Sequence, residues 1–254
     1  MRQNLLRTLL ESLLAADFKQ VLIKFVGFAF IFIQEVSADE HDHGKDHAQT
    51  FHAFTLEAAA GEGRNGNSQS WDLNGWAGGD YNRLWLKSEG EVTKNQTKNS
   101  NIEILYGRNI SQFWDAQIGI RRDFKERAVN HLQIGFEGLA PQSFETEFHA
   151  FLSEDGDFSL RLRQEFDIFL TQWLITQPYF ELRAFSQDVA MQEIKSGISN
   201  AKIGIITRYE ITRKFAPYVN FSYESKTSNT EKLAKKNGEL ASDFLFALGV
   251  RLRF

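Results

Sequence analysis

The feature that most constrains the fold is a period-two alternation of apolar and polar residues, which recurs between residues 51 and 254. The segment DFSLRLRQEFDIFL (157–170) carries apolar side chains at nearly every second position and polar or charged ones between them. Successive side chains of a β-strand point to opposite faces, so the pattern predicts strands with one apolar and one polar face. A soluble sandwich gives the same pattern in any single strand, so the alternation leaves both classes of protein open.

The connections between the predicted strands favour a membrane barrel. The connections after the first, third, fifth, ninth and eleventh segments are long and polar, whereas those after the even-numbered segments are short. Long loops at one end, tight turns at the other and strands of about 9–11 residues are typical of outer-membrane barrels. The tight SEDG turn after the seventh segment is an exception. The twelve predicted segments are 51–60, 70–78, 83–91, 101–109, 114–123, 131–139, 144–152, 157–170, 174–186, 201–211, 216–224 and 243–254.

The last segment, DFLFALGVRLRF (243–254), alternates as far as the final aromatic residue, Phe254. This ending resembles the terminal signal by which outer-membrane barrels are recognised for insertion, although the last strand of a soluble sheet is an alternative. In lipid the sheet must close, because an open edge leaves backbone groups unpaired in hydrocarbon. We therefore predict an all-β protein over residues 51–254, a closed antiparallel transmembrane β-barrel of about 12 strands in the outer membrane, with both termini periplasmic.

Residues 1–38 are predicted to be an N-terminal extension and a secretory signal peptide. Lys19 and Lys24 precede the apolar run FVGFAFIFI (25–33), and Val36-Ser37-Ala38 supplies a small-x-small ending. The run is shorter than the roughly 20 residues that a spanning helix needs. A buried core helix is the alternative, but the signal peptide is favoured and predicts an exported chain.

Between this signal and the barrel, residues 39–50 predict a short periplasmic tail that is rich in His and Asp, disordered when free, and able to bind metal. Cleavage after Ala38 would leave Asp39-Glu40-His41 at the N-terminus. The amine, two deprotonated amides and the His41 imidazole would then surround one ion in a plane, an arrangement that indicates Cu(II) or Ni(II). A solvated tail with incidental histidines is the alternative. The predicted ligands are Asp39, His41, His43, His47 and His52, with Asp42 and Asp46 as weaker candidates.

If the apolar residues face lipid, the residues between them along each strand line the lumen, and these residues carry charges of both signs. Such charges are expected to pair across strands and to plug a narrow lumen, since each buried charge needs a partner. A selective conduit or a ligand pocket is the alternative, and Glu145, Glu147 and His149, at i, i+2 and i+4, are further candidate metal ligands. The predicted lumen set is Arg83, Lys87, Glu89, Glu103, Asp115, Arg121, Glu137, Glu145, Glu147, His149, Arg161, Arg163, Glu165, Asp167, Glu181, Arg183, Arg208, Glu210 and Arg251.

Composition and motifs exclude several function classes. The formal net charge of −4 argues against nucleic acid as a partner, because nucleic-acid binding needs a basic face. No cysteine is present, so thiolate metal sites and disulfides are excluded. The sequence contains no P-loop, G-x-G-x-x-G or H-E-x-x-H motif. The chain is therefore predicted not to be an enzyme, with an outer-membrane hydrolase as an alternative.

The chain closely resembles the copper resistance protein B family, whose members are outer-membrane barrels of bacterial copper-resistance operons. The resemblance implies a barrel that contacts outer-membrane lipid and confers copper tolerance by sequestering or exporting copper ions, with no catalytic residues or organic cofactor. Export would require periplasmic copper-handling proteins as partners. The likeness covers residues 51–254 in order and is carried by WDLNGWAGGDYNRLWLKSEGE (71–91), EILYGRNISQFWDAQIGIRRDF (103–124), GFEGLAPQSFETEFHAFLSEDG (135–156), FLTQWLITQPYFEL (169–182) and RYEITRKFAPYVNFSYE (208–224).

The chain departs from the family at its front. Many members carry a long exported segment rich in Met and His, whereas the predicted tail here is about a dozen residues long and has no Met. Imidazole and carboxylate ligands suit Cu(II) more than Cu(I), which prefers thioether sulfur. The remaining alternatives to a copper-binding barrel are a general small-solute channel and a purely structural or adhesion barrel.

Overall fold

The structure is a computed structural model that describes residues 50–64, 66–93, 96–124, 127–189, 194–237 and 240–254. It is a closed antiparallel barrel of twelve strands with one short extra strand, and β1 pairs with β13 to close the sheet. The predicted fold is therefore confirmed. The strands are β1 Phe51–Gly63, β2 Gly66–Gly78, β3 Asn82–Thr93, β4 Gln96–Ser111, β5 Trp114–Asp123, β6 Val129–Ala140, β7 Phe144–Ser153, β8 Phe158–Glu165, β9 Ile168–Phe169, β10 Leu174–Phe185, β11 Gly197–Tyr209, β12 Phe215–Lys226 and β13 Ser242–Arg253.

The prediction of one continuous strand over 157–170 is wrong, because this segment divides into β8 and β9. The ladder between β8 and β10 ends at the pair Glu165–Tyr179. The next residue along β10, Pro178, has no N–H to donate, and proline within a sheet removes a ladder hydrogen bond. Phe166 N–H still donates to the Pro178 carbonyl at 3.3 Å, so the chain stays close to the sheet until β9 pairs again with β10.

The polar loop predicted before the last strand contains a helix, α1 (Ser228–Lys236), which the period-two pattern did not reveal. Thr230 and Ala234, four residues apart, are buried on one face of α1. The Thr230 hydroxyl accepts a hydrogen bond from the Lys195 N–H at 3.1 Å. Glu231 and Lys235 form an i, i+4 ion pair on the outside. The helix is thus held by the preceding hairpin.

The two ends of the barrel differ. One end, here called the terminal end, carries Phe51 and Phe254 together with the connections after β2, β4, β6, β8 and β11, including the 3₁₀ turn Pro141–Ser143. The other, the loop end, carries α1 and the connections after β1, β3, β5, β7, β10 and β12.

The SEDG turn between β7 and β8 lies at the loop end, as the strand order requires. The prediction of long connections after the first and third segments is wrong, because β1 extends to Gly63 and β2 begins at Gly66, while β3 extends to Thr93 and β4 begins at Gln96.

The outward face of the barrel is apolar. Large hydrophobic side chains at alternate positions are exposed, which is the arrangement that suits lipid rather than water. Examples on neighbouring strands are Ile104, Tyr106, Ile118, Ile120, Leu132, Ile134, Phe136 and Phe148. No helix within the described ranges is long and apolar enough to span a membrane.

Candidate functional site in the barrel lumen

A row of three carboxylates runs across one wall of the lumen. Glu57 on β1 pairs in register with Asp72 on β2, and Asp72 pairs with Glu89 on β3. Because directly opposite residues of neighbouring strands lie on the same face of a sheet, the three side chains stand side by side. We call Glu57, Asp72 and Glu89 the carboxylate row.

The opposite wall places arginines against this row. Arg161 on β8 donates from both terminal nitrogens to Glu89, at 2.8 and 2.9 Å. Arg163, two residues further along β8, donates to Asp72 Oδ2 at 3.4 Å. Such charge-assisted, paired hydrogen bonds are the strong class of protein hydrogen bond. Two ion pairs therefore cross the lumen, and we call these four residues the partition.

Further ion pairs support the partition on both walls. Arg161 also donates to Glu181 at 3.3 Å, and Arg183 donates to Glu181 at 2.6 Å. Next to the carboxylate row, Glu57 accepts from Arg251 at 2.5 Å. All the residues predicted for the lumen except Glu145 and His149 take part in ion pairs. Most of these pairs join different strands as expected, whereas Glu165 pairs with Arg163 on its own strand.

The candidate ligands on β7 lie in the lumen but are held by separate partners. Glu147 lies 3.4 Å from the Lys87 ammonium, which Glu137 also contacts at 2.6 Å. His149 is 2% exposed, and its Nε2 lies 3.0 Å from the Gln117 Oε1. Glu145 lies nearer the terminal end and lines the smaller cavity. Among the described residues, no group of three or more His, Asp or Glu is arranged to hold a metal ion.

Of the predicted tail ligands, only His52 falls within the described residues. It lies on β1 next to the terminal end, where its side chain is exposed and its register partner on β2 is Ala77. The other predicted ligands, Asp39, His41, Asp42, His43, Asp46 and His47, lie outside the described residues.

The partition divides the lumen into two cavities of unequal size. The larger, of about 1230 Å³, opens toward the loop end and is lined there by Asp155, Asp188 and Thr230. The smaller, of about 180 Å³, reaches the terminal end and is lined there by Glu145 and Arg253. We call the larger cavity the vestibule. Both cavities are lined by the four partition residues, together with Glu57 and Asn101.

One wall of the vestibule is apolar, which sequence reasoning missed. Ile206 and Tyr218 pack with Ala59 and Ala247 on strands β11, β12, β1 and β13, and Tyr179 of β10 packs against them. The tyrosine rings lie where neighbouring glycines leave room, Tyr179 over Gly204 and Tyr218 over Gly249. The sequence contained one signal of this wall. These tyrosines and glycines occupy the alternate strand positions that face the lumen, as Lys202 and Arg251 do.

Exposed ion pairs tie the loops together at the loop end. Arg127 donates to both carboxylate oxygens of Asp155, at 2.9 and 2.8 Å, and these bonds raise the pKa of the arginine. Asp188 accepts from Lys195 Nζ at 2.6 Å and from the Ser196 N–H at 2.9 Å, which lowers the pKa of its carboxyl. The first contact joins the β5–β6 connection to the β7–β8 connection, and the second lies within the β10–β11 connection.

The sequence match identifies the family. A family model described as copper resistance protein B precursor (CopB) matches residues 48–254. The chain belongs to the copper resistance protein B family. Copper resistance protein B of Escherichia coli is 38% identical over 191 residues, and the match covers 75% of this chain and 64% of that protein. The copper resistance protein B homolog of Pseudomonas syringae pv. tomato (strain ATCC BAA-871 / DC3000) is 35% identical over 194 residues, covering 76% and 66%.

The chain thus spans less than two thirds of the length of both relatives. The barrel also resembles a solved structure of the NanC porin, with a TM-score of 0.56 at 13% identity, covering 78% of this chain and 98% of that one. This similarity shows the fold alone. Together with the family match it supports an outer-membrane barrel in contact with lipid.

Proposed function

We propose that this copper resistance protein B homologue confers copper tolerance from the outer membrane by binding copper ions. The observation that carries the proposal is the family match, which runs from residue 48 through the whole barrel. Copper is the substrate that the protein holds or moves, and the protein acts without a catalytic site.

The tail is the proposed place of binding. Residues 39–50 hold His41, His43 and His47 with several carboxylates, and His52 follows at the start of β1. Imidazole and carboxylate ligands, without thioether sulfur, favour Cu(II). Because residue 51 begins β1 at the terminal end, the tail is tethered there, and we place that end in the periplasm. Periplasmic copper-handling proteins would then meet the bound ion.

The lumen supports sequestration over free passage. The partition separates the two cavities, and the described lumen residues form no ready metal site. A general small-solute channel needs a continuous aqueous path, whereas the lumen is crossed by ion pairs at 2.8 to 3.4 Å. Export of copper through the barrel would therefore require the partition to open.

Growth of a deletion strain on graded copper and graded zinc tests the proposal. We expect the deletion to lower tolerance to copper selectively, and a plasmid copy of the gene to restore it. A copy with His41, His43 and His47 changed to Ala should restore less, while the matched change of His131, a histidine of β6, to Gln should restore fully. Equal copper tolerance with and without the gene would refute the function.

The planar tail site has a separate test. Mass spectrometry of the purified protein gives the mature N-terminus, and a peptide of residues 39–50 is then titrated with Cu(II), with and without N-terminal acetylation. The site uses the free amine, so acetylation should weaken binding. Unchanged affinity after acetylation, or a mature N-terminus other than Asp39, would eliminate this geometry while leaving the barrel's role untouched.

A further inference from the structure

We propose that the ion pair between Glu89 and Arg161 is the gate of the lumen, and that loss of either partner opens a pore whose ion selectivity is set by the other. The proposal concerns the barrel alone and does not rest on copper binding.

The first observation is where the two cavities meet. Glu89 and Arg161 line both the vestibule and the smaller cavity. A side chain that borders two cavities stands between them. The vestibule reaches the loop end and the smaller cavity reaches the terminal end, so this boundary is what interrupts a path from one side of the membrane to the other.

The second observation is the span of the pair. Glu89 lies on β3 and Arg161 on β8, five strands apart around one side of the twelve-stranded barrel and seven around the other. The neighbouring pair, Asp72 on β2 and Arg163 on β8, is six strands apart in both directions. These pairs therefore bridge opposite walls, whereas a pair such as Lys87 and Glu137, three strands apart, stays along one wall.

The third observation is how Arg161 is held. Its two terminal nitrogens make the bonds to Glu89, while its buried Nε has no hydrogen-bond partner. The guanidinium head is therefore fixed mainly by carboxylates, Glu89 opposite and Glu181 beside it. By comparison, Asp72 and Arg163 are 3.4 Å apart, so the Glu89–Arg161 pair is the tighter of the two crossings.

The charges left behind determine the selectivity of an opened pore. Without Arg161, the carboxylate row keeps Glu57, Asp72 and Glu89 at the constriction, and excess negative charge attracts cations. Without Glu89, the side chains of Arg161, Arg163 and Arg183 face a shortened row, and excess positive charge attracts anions. The two truncations should therefore open pores of opposite selectivity.

The experiment is planar-bilayer recording of the purified full chain across a KCl gradient. Arg161→Ala should give a steady conductance with a cation-selective reversal potential. Glu89→Ala should give a steady conductance with a reversal potential of opposite sign. Arg127→Ala, which removes a similar exposed pair at the loop end, is the matched control and should remain closed like the wild type.

Charge reversal keeps the test valid if a truncated barrel folds poorly. Glu89→Arg should open the lumen by repulsion, and the exchanged double variant Glu89→Arg with Arg161→Glu should close it again. Folding of each variant is checked by the heat-dependent shift of the barrel on gels. Folded truncation variants that stay closed, open pores of the same selectivity, or a double variant as conductive as Glu89→Arg would each overturn the gate.

Discussion

The same kind of ion pair, an arginine with two hydrogen bonds to a carboxylate, occurs in two environments in this barrel. Arg127 holds Asp155 with two hydrogen bonds at the loop end, and Arg161 holds Glu89 with two hydrogen bonds in the lumen. At the loop end the arginine and aspartate side chains are 49% and 42% exposed. In the lumen the corresponding figures are 10% and 24%.

The difference in exposure changes what the pair contributes. Exposed ion pairs are screened by water and salt and contribute little to stability. When a shielded pair loses one partner, the charge that remains has lost its neighbour and is only partly solvated. The lumen pair is therefore expected to contribute both to the stability of the barrel and to the closure of the lumen. The pair at the loop end is expected to contribute little to stability, so the barrel should tolerate its loss.

The largest expected effect comes from breaking the lumen pair. Arg161→Ala should lower the free energy of unfolding by about 3 kcal/mol, because Glu89 loses both of its short hydrogen bonds to Arg161 and keeps, among the described residues, only the 3.6 Å ion pair with Arg183. Urea unfolding of the refolded barrel in detergent micelles measures this, with Arg161→Lys as the variant that keeps the charge and should recover part of the loss. A change no larger than that of Arg127→Ala would show that the two environments are equivalent.

The apolar wall of the vestibule should respond to added volume. A Cβ added at Gly249 would lie 2.4 Å from the Tyr218 ring and 2.7 Å from the Ala58 carbonyl. Gly249→Ala should therefore destabilise the barrel by about 1–3 kcal/mol, as overpacking does. Gly79→Ala is the control, since nothing lies within 4 Å of a Cβ there and the backbone is not in the left-handed region. Urea unfolding in detergent micelles measures the change in stability. A Gly249→Ala barrel as stable as the wild type would contradict the packing of Tyr218 against Gly249.

The loop end should respond to acid. Lys195 and the Ser196 N–H lower the pKa of Asp188, so this contact stabilises the loop above the ordinary aspartate pKa. The contribution is lost as the pH falls through the lowered pKa. The protection of the Ser196 amide against hydrogen exchange, taken relative to the intrinsic rate at each pH, should therefore fall selectively at acidic pH, and Asp188→Asn should remove most of that pH dependence. An exchange rate that stays proportional to the pH trend of unstructured amides would contradict the contact.

The smallest effect is expected from Arg127→Ala. Removing this exposed pair should leave the urea midpoint of the barrel within experimental error of the wild type, because the site is open to water and salt. A large loss of stability would mean that the loops at the mouth, and not the lumen, hold the barrel together.

The alternation of the strands predicted the barrel and most of its lumen charges, but the predicted lumen set omitted Glu57 and Asp72 of the carboxylate row. Residues such as Arg161 and Glu89 could be assigned to the lumen from their positions between apolar residues, because successive side chains of a strand point to opposite faces. Which charges pair could not be predicted, since the partners lie up to 194 positions apart and depend on barrel size and register. The break between β8 and β9, opposite Pro178, escaped because the alternation continues through it. The helix α1 escaped because its segment was predicted to be a polar loop.

The apolar wall escaped for a related reason. Ile206 and Tyr218 occupy the same face of their strands as charged residues. The alternation of one apolar and one polar face assigns that face to a polar lumen. Only the closed barrel shows that the charges gather around the partition while β10 to β13 and β1 supply an aromatic and aliphatic lining.

The most direct test of the account is the conductance of the wild-type protein in a planar bilayer. Because the Glu89–Arg161 ion pair, with hydrogen bonds at 2.8 and 2.9 Å, crosses the lumen between the two cavities, the inserted barrel should show no steady current in KCl, with or without Cu(II). A steady, ohmic conductance of the wild-type barrel would contradict the closed partition and favour a general small-solute channel.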